Sequence, residues 1–261
     1  MKIFDSHCHL DDHSFNKDFQ DVLKRATLAD VHRMLIAGVN EKTSERAVGL
    51  ASQHANLFAS IGVHPHDTHS CTENTLANLS KLAANTKVVA WGEIGLDFNR
   101  MYSPREIQEK WFIRQLEMAE ALDLPLIFHE RDSHGRLLEI LKSLPSSRRQ
   151  AVVHCFSGNP NELAQYLEMG FYIGITGIVT IKKRGAALRQ MISSIPMDRI
   201  LVETDAPYLT PTPQRNKFRR NEPAFVREVL FKVADVRQDD PSALAQQVWA
   251  NTCTLFGINP S

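Results

Sequence analysis

The chain alternates short runs of apolar, often β-branched residues with longer segments that have the periodicity of amphipathic helices. Eight apolar runs predict strands, at residues 2–7, 34–39, 57–63, 88–92, 126–129, 151–154, 172–176 and 200–203. The clearest helical segment covers residues 104–122, where Trp111, Leu116 and Met118 share an apolar face. Apolar strands that alternate with helices indicate βαβ units in a parallel sheet.

Eight βα units are the number that closes a parallel sheet into a barrel, so we predict an α/β fold of the (β/α)8 TIM-barrel type. A doubly wound open sheet is the alternative. Such sheets usually have fewer strands and often a glycine-rich phosphate loop, and neither GxGxxG nor GxxxxGK[ST] occurs in the chain. Because 261 residues are an ordinary length for one barrel, we expect a single domain over residues 1–261.

Composition and charge limit the kinds of substrate, metal site and cellular compartment that the chain can have. The 30 basic and 30 acidic residues cancel, so an anionic substrate must be held by local groups. The four cysteines are far apart and form no CxxC pair, which argues against a disulfide framework or a thiolate zinc site. There is no apolar run of membrane-spanning length and no signal-peptide pattern at the N-terminus. We therefore expect a cytoplasmic protein without a membrane or an obligate protein partner.

Ionisable residues recur where the predicted strands end. Their carboxyl ends carry, in chain order, His7 with His9, then His64, Glu93, His129, His154 and Asp205. In a barrel these ends surround the active site, because the loops that follow the strands meet there. The pattern predicts one polar site at one rim.

Six of these residues are predicted metal ligands. His7 and His9 stand two apart on a strand, so both imidazoles point to the same face and can bind one divalent ion. Four imidazoles and two carboxylates are too many for a single catalytic ion, which keeps an open position, but they suit two ions. The predicted ligands are His7, His9, Glu93, His129, His154 and Asp205.

Our assignment divides the ligands between two divalent cations. The histidine pair of the first strand and Asp205 bind one ion, and His129 and His154 bind the other. Glu93 bridges them, in the place where many binuclear barrel hydrolases have a carbamylated lysine. Mixed nitrogen and oxygen ligation suits Zn²⁺ or Mn²⁺ and tolerates Mg²⁺, so the identity of the metal stays open.

Seven segments together resemble the TatD family of metal-dependent deoxyribonucleases, which are amidohydrolase-like TIM barrels. The segments are DSHCHL at 5–10, GVHPH at 62–66, GEIGLD at 92–97, HCFSG at 154–158, ETDAPY at 203–208, NEP at 221–223 and NTCTLF at 251–256. The resemblance covers nearly the whole chain and places the family's ligands for two divalent cations on the same six residues. It implies a 3′-to-5′ exonuclease that cleaves phosphodiester bonds of single-stranded DNA, commonly with Mg²⁺.

Two segments depart from the family pattern. Residues 129–131 read HER, where the family more often has Thr or Ser after the histidine. The loop at 211–220, PTPQRNKFRR, is longer and more basic than usual. Both departures bear on substrate preference rather than on the metal site.

Catalysis and substrate binding are assigned to nearby groups. Asp205 is expected to accept the proton of a metal-activated water, and Glu93 to act with it as the bridging carboxylate. Substrate contacts are predicted for His64, Arg131 and Tyr208. For His64 a structural role is the competing interpretation. We regard the remaining histidines, His66 among them, mostly as surface residues.

Further cations and aromatic residues are candidates for holding a single strand. Besides Arg131, the basic runs 182–184 and 215–220 can contact phosphates, although each charge can equally be a solvated surface group. Loop aromatic residues can stack on bases, although most aromatic residues serve packing. These residues are Phe98, Tyr102, Phe156, Tyr208 and Phe218.

Two other functions compete with the nuclease. The same binuclear site could hydrolyse an amide, a lactone or an aminoacyl ester, because the fold does not fix the substrate. A non-catalytic metal-bearing scaffold is the second alternative. A complete ligand set with an available base argues against it.

Overall fold

The computed structural model describes residues 1–260; the last residue of the predicted domain, Ser261, lies outside the described residues. The strands are β1 (Ile3–Cys8), β2 (Val31–Ala37), β3 (Leu57–Ile61), β4 (Val88–Asp97), β5 (Leu126–Arg131), β6 (Ala151–Val153), β7 (Tyr172–Ile175) and β8 (Ile200–Val202). The α-helices are α1 (Phe19–Leu28), α2 (Glu41–Gln53), α3 (Glu73–Leu82), α4 (Arg105–Ala121), α5 (Arg136–Ser143), α6 (Pro160–Glu168), α7 (Ala186–Ile192), α8 (Val226–Arg237) and α9 (Pro241–Leu255). Short 3-10 helices occur at His13–Phe15, Thr68–Ser70, Gly177–Thr180, Met197–Arg199, Gln214–Asn216 and Pro223–Phe225.

All eight strands belong to one parallel sheet in sequential order, from β1 to β8. The eight predicted strands are confirmed, with two large differences in their bounds. β2 begins three residues before the prediction, because His32 and Arg33 interrupt the apolar run; the Arg33 guanidinium lies over the Trp249 ring at 4.7 Å. β4 runs five residues beyond the prediction, since its polar residues Glu93 and Asp97 are buried strand positions.

The described residues cluster into two compact units, and the first comprises residues 1–36 and 173–260. Within it β1 pairs in parallel with β2, and β7 with β8. Helix α9 packs on β1 and β8. Its buried Asn251 donates hydrogen bonds to the carbonyls of Met197 and Ile200, which fixes the start of β8.

The second unit comprises Ala37–Tyr172 and contains β3 to β6. Its central strand β4 pairs with β3 and β5, and all ten of its residues are buried. Helix α4 confirms the predicted segment 104–122 almost to the residue. Trp111 and Leu116 are buried as expected, together with Phe112, but Met118 is only partly buried.

Buried glutamines of α4 hold the ends of two strands. The side-chain oxygen of Gln115 accepts a hydrogen bond from Val63 N at 2.7 Å, and its amide donates to Val63 O at 3.0 Å. Gln108 makes the same pair of bonds with the backbone of Asp97, at 2.9 and 3.1 Å. Because these bonds satisfy backbone groups where the sheet ladder stops, the strand ends that carry polar residues are fixed.

Within residues 1–260, none of the helices is both long enough and apolar enough to cross a membrane.

Candidate metal centre

The first unit brings together the two histidines of the N-terminal motif and the carboxylate that follows β8. Asp205 Oδ1 lies 3.2 Å from His9 Nε2 and 3.9 Å from His7 Nε2. Two donors on one divalent ion, each bonded at about 2 Å, stand about 3 Å apart or slightly more. His9 and Asp205 therefore have the spacing of two ligands to a common ion, and His7 lies somewhat further from Asp205. His7 is buried, whereas Asp205 retains 15% of its side-chain exposure.

The backbone after β8 aims Asp205 at these histidines. Asp205 has a positive φ of 57°, and its N–H donates to His7 O at 2.9 Å. The preceding residue, Thr204, is bonded by Asp5 through both its N–H and its hydroxyl, at 2.8 and 2.5 Å. Buried Asn221 donates to the carbonyls of Thr204 and Tyr208, at 2.9 and 2.6 Å, and so ties both ends of the turn.

The second unit gathers three imidazoles around one buried carboxylate. Glu93 Oε1 is 2.7 Å from His129 Nδ1, 3.5 Å from His64 Nε2 and 3.7 Å from His154 Nε2. The ligand atoms of Glu93, His64 and His129 all lie within 4.8 Å of one another. Glu93 is 3% exposed, so this carboxylate is deep in the protein and needs partners of opposite charge there. His64, predicted as a substrate contact, therefore lies within the Glu93 cluster beside the predicted ligand His129.

Asp97, four residues after Glu93 on β4, fixes the other edge of His129. Asp97 Oδ2 lies 3.3 Å from His129 Nε2 and 2.7 Å from His66 Nε2. Burial alone would lower the pKa of His129, but its hydrogen bonds with Asp97 and Glu93 outweigh burial and raise the pKa to about 9. Burial likewise opposes ionisation of Asp97, yet bonds from His129 and His66 hold its pKa well below the ordinary value.

Sequence reasoning missed the roles of Asp97 and His66. The interpretation of His66 as a surface residue is wrong, because its ring is bonded to the fully buried Asp97. The available signal was the strand period: residues 93, 95 and 97 alternate onto one face of β4, so Asp97 shares the face of Glu93. The predicted strand ended at residue 92 and excluded this alternation.

Gly95 is what lets β4 and β5 approach closely enough for both carboxylates to meet His129. It pairs directly with His129 in the sheet register. A Cβ added at Gly95 would lie 1.9 Å from His129 O, and the residue has φ of +150°. Only glycine fits at this position.

The three predicted substrate contacts occupy different environments. His64 is buried, and burial together with the neighbouring His129 lowers its pKa well below the ordinary value. Arg131, at the end of β5, is partly exposed. Tyr208 is 55% exposed, and its ring lies edge-on to His9 at 5.9 Å.

Most residues of the predicted basic runs are exposed. Arg220 is an exception, because its guanidinium is engaged in contacts within the protein and is not free to bind a phosphate. Its guanidinium donates to both carboxylate oxygens of Asp18, at 2.8 and 2.7 Å, and to Ser14 O at 2.6 Å. It also lies over the Phe15 ring at 4.7 Å. Arg220 therefore anchors the basic loop to the segment before α1, and the exposed cations of that loop are Arg215, Lys217 and Arg219.

The donor chemistry of both clusters fits divalent cations. Imidazole nitrogens and carboxylate oxygens are the ligands that Zn²⁺ and Mn²⁺ accept, and the carboxylates also suit Mg²⁺. Three imidazoles lie against Glu93. Metal binding would require neutral imidazoles and would therefore compete with protonation of His129. The structure thus contains buried His, Glu and Asp clusters consistent with divalent metal sites.

The chain belongs to the TatD related DNase family, whose model matches residues 4–257. It is 42% identical over 259 residues to the 3′-5′ ssDNA/RNA exonuclease TatD of Escherichia coli K12, covering 98% of this chain and 99% of that protein. The protein of the same name from Erwinia amylovora is 44% identical over 259 residues, covering 98% and 100%. The family predicted from the motifs is therefore confirmed.

Solved structures confirm the fold class. The TatD homologue YjjV from E. coli has a TM-score of 0.91 at 31% identity, covering 98% of both chains. A TatD family hydrolase from Entamoeba histolytica has a TM-score of 0.88 at 26% identity, covering 100% of this chain and 99% of that one. An uncharacterised TIM-barrel protein from Bordetella bronchiseptica, 11% identical, reaches 0.61 over 97% and 99% of the chains and supports the fold alone. The predicted (β/α)8 TIM barrel is correct.

Proposed function

We propose that the protein is a divalent-metal-dependent 3′-5′ exonuclease that hydrolyses phosphodiester bonds of single-stranded DNA. The observation that carries the proposal is Glu93, a buried carboxylate with three imidazoles within 3.7 Å of one oxygen. A buried cluster of this kind suits metal-assisted hydrolysis. The relatives of 41 to 44% identity support the bond and the substrate, since their names describe 3′-5′ ssDNA/RNA exonucleases.

Two cations are proposed, shared among six ligands. His7, His9 and Asp205 would hold the first, and His129 and His154 the second, with Glu93 bridging. The short distances from Asp205 to His9 and from Glu93 to His129 support two pairs of this assignment, and active sites of barrels form at the carboxyl ends of parallel strands. Bound divalent cations supply an electrophile that polarises a phosphoryl oxygen and lowers the pKa of an attacking water.

Asp205 and Glu93 then have different tasks in catalysis. Asp205 keeps 15% of its side-chain exposure, so its carboxylate can reach a water and accept its proton. Glu93 keeps only 4% and serves as a fixed ligand. The proton that Asp205 takes from the attacking water can be returned to the departing 3′ oxygen.

Three side chains are proposed to contact the substrate. Arg131 would pair with a backbone phosphate, because an arginine at the end of a barrel strand faces the loops that surround the site. Tyr208 offers an exposed ring beside the ligand His9. His64 would donate a hydrogen bond to a phosphate oxygen from its buried position beside Glu93.

The remaining parts of the proposal rest on the sequence. The enzyme would act in the cytoplasm as a single domain, with nucleic acid as its substrate and without an obligate protein partner. The native metal is one of Mg²⁺, Mn²⁺ and Zn²⁺, and the activity with each metal distinguishes them.

Digestion of labelled oligonucleotides tests the proposal. Chelator-stripped protein is supplied with each metal and given a 5′-labelled single strand, the same strand in a duplex, an RNA of equal sequence, and small amide, lactone and ester substrates. We expect a ladder that shortens from the 3′ end of the single strand, absent with chelator and in Glu93→Gln and Asp205→Asn. Hydrolysis of only the small substrates, or a ladder that persists in both variants, would contradict the proposal.

A further inference from the structure

The loop after β4 presents an exposed aromatic ring beside the Glu93 cluster. Tyr102 is 63% exposed and its neighbour Met101 is 41% exposed, among the most exposed large apolar side chains described. The face of this ring is therefore open to a ligand.

The ring is held in place rather than loose in solvent. Tyr102 packs edge-on against His66, with ring centroids 4.7 Å apart and planes at 78°. His66 is in turn fixed by Asp97 at 2.7 Å, and Asp97 also contacts His129. Tyr102 is therefore linked to the proposed metal ligand His129 through His66 and Asp97.

Both ends of the loop are pinned by buried groups. Gln108 bonds the backbone of Asp97 on one side and donates to Ser103 O on the other, at 2.8 Å. The buried Ser103 hydroxyl donates to His66 O at 3.1 Å. The exposed tip between these anchors is thus preorganised, which reduces the entropy lost when a ligand binds.

The charges around the ring suit a polyanion. Arg100 is exposed at the tip, and Arg105 is exposed at the start of α4, with its guanidinium over the Phe98 ring at 4.5 Å. An exposed aromatic ring with exposed arginines close to it in the sequence suits an unpaired nucleobase with its phosphates, because bases stack on aromatic rings while cations contact the backbone.

We propose that residues 98–105 form a nucleobase-binding loop, in which Tyr102 stacks on an unpaired base of the strand being cleaved. This inference rests on the proposed nuclease function and deepens it. It explains a preference for single strands, since a base paired in a duplex does not expose its face to Tyr102. Base stacking of this kind is insensitive to sequence.

The test compares intact and abasic oligonucleotides. Binding of a labelled single strand is measured in chelator, so that nothing is cleaved, with one abasic nucleotide placed in turn at each of the last four 3′ positions. For the native protein we expect one position at which base removal weakens binding about 5- to 100-fold. The ratio of the dissociation constants for the abasic and the intact strand should fall to nearly one in Tyr102→Ala. In Tyr102→Phe this ratio should stay as in the native protein.

The control is Leu28→Ala, which removes an exposed apolar side chain of α1, 85% exposed, and should keep the native ratio. A Tyr102→Ala protein that discriminates base from abasic nucleotide as the native protein does would overturn the inference, and so would a native protein that never discriminates. A ratio that behaves as expected, together with no hydrolysis in any metal, would reject the nuclease while keeping the base-binding loop.

Discussion

Asp5 and Thr204 are 199 residues apart in the sequence and form a fully buried bidentate pair. Asp5 Oδ1 accepts a hydrogen bond from Thr204 N at 2.8 Å, and Oδ2 accepts one from the Thr204 hydroxyl at 2.5 Å. Burial raises the pKa of Asp5 to about 8, against the opposing effect of both Thr204 bonds. The pair connects β1 to the segment that carries Asp205, so it couples the histidines to their carboxylate partner.

Removing Asp5 should cost stability and loosen that coupling. Asp5→Ala leaves the N–H of Thr204 buried without its acceptor, and we expect the free energy of unfolding to fall by at least about 2 kcal/mol. Asp5→Asn retains an acceptor oxygen and should lose less. Urea denaturation of both variants measures the difference. Equal stability of Asp5→Ala and the native protein would show that the pair is dispensable.

The close approach of Gly95 on β4 to His129 on β5 predicts that no side chain is tolerated at this position. In Gly95→Ala the new methyl group must displace His129 O, which a built Cβ approaches to 1.9 Å. We expect destabilisation of about 3 kcal/mol, or a protein that does not fold. Gly49→Ala, on helix α2 with no atom within 4 Å of the added Cβ, is the control and should stabilise slightly or change nothing. Thermal unfolding measures the stability of the two variants. A Gly95→Ala protein as stable as Gly49→Ala would contradict the packing argument.

Asp97 is expected to tune metal affinity without binding an ion itself. It holds the edge of His129 opposite Glu93, and partners of this kind orient a ligand imidazole. Asp97→Asn should weaken binding of Mn²⁺ or Zn²⁺ about 10- to 100-fold. Asp132→Asn alters an exposed carboxylate bonded by Asn99 and serves as the control with native affinity. Titration calorimetry on chelator-stripped proteins compares them; identical affinities in all three proteins would contradict the positioning role.

The ion cluster around Asp18 predicts a pH dependence of stability. Hydrogen bonds from Arg220, and further from Arg25, lower the pKa of Asp18 to about 2 against the effect of burial. Because the folded-state pKa lies below the unfolded value of 3.8, the stabilisation is present above pH 4 and is lost as the pH falls toward 2. The carboxylate is 31% exposed, so screening reduces the gain to about 1 kcal/mol.

Comparison of Asp18→Asn with the native protein tests the direction of this pH dependence of stability. The variant should be less stable at pH 7 by about 1 kcal/mol, and the gap should narrow between pH 4 and pH 3. Guanidinium denaturation at each pH gives the two free energies. A gap that stays constant from pH 7 to pH 3 would show that ionisation of Asp18 is not its source.

The sheet was predicted correctly from the sequence, and the six candidate ligands were predicted by the same reasoning, because both depend on local order. Apolar runs mark buried strands, and a polar residue after each run marks the carboxyl end, as at His129. They missed Asp97 because the apolar criterion ended β4 at residue 92, before the buried acidic positions. They also placed Arg220 with the substrate cations, since its pairing with Asp18 joins residues 202 apart and leaves no local signal.

Metal stoichiometry tests the central claim most directly. Chelator-stripped native protein, Glu93→Gln and His9→Ala are titrated with Mn²⁺, and the bound metal is counted per chain. Two ions per chain are predicted for the native protein, with one retained tightly in His9→Ala and both weakened in Glu93→Gln. A native protein that binds no ion, or variants that bind two ions as tightly as it does, would contradict the account.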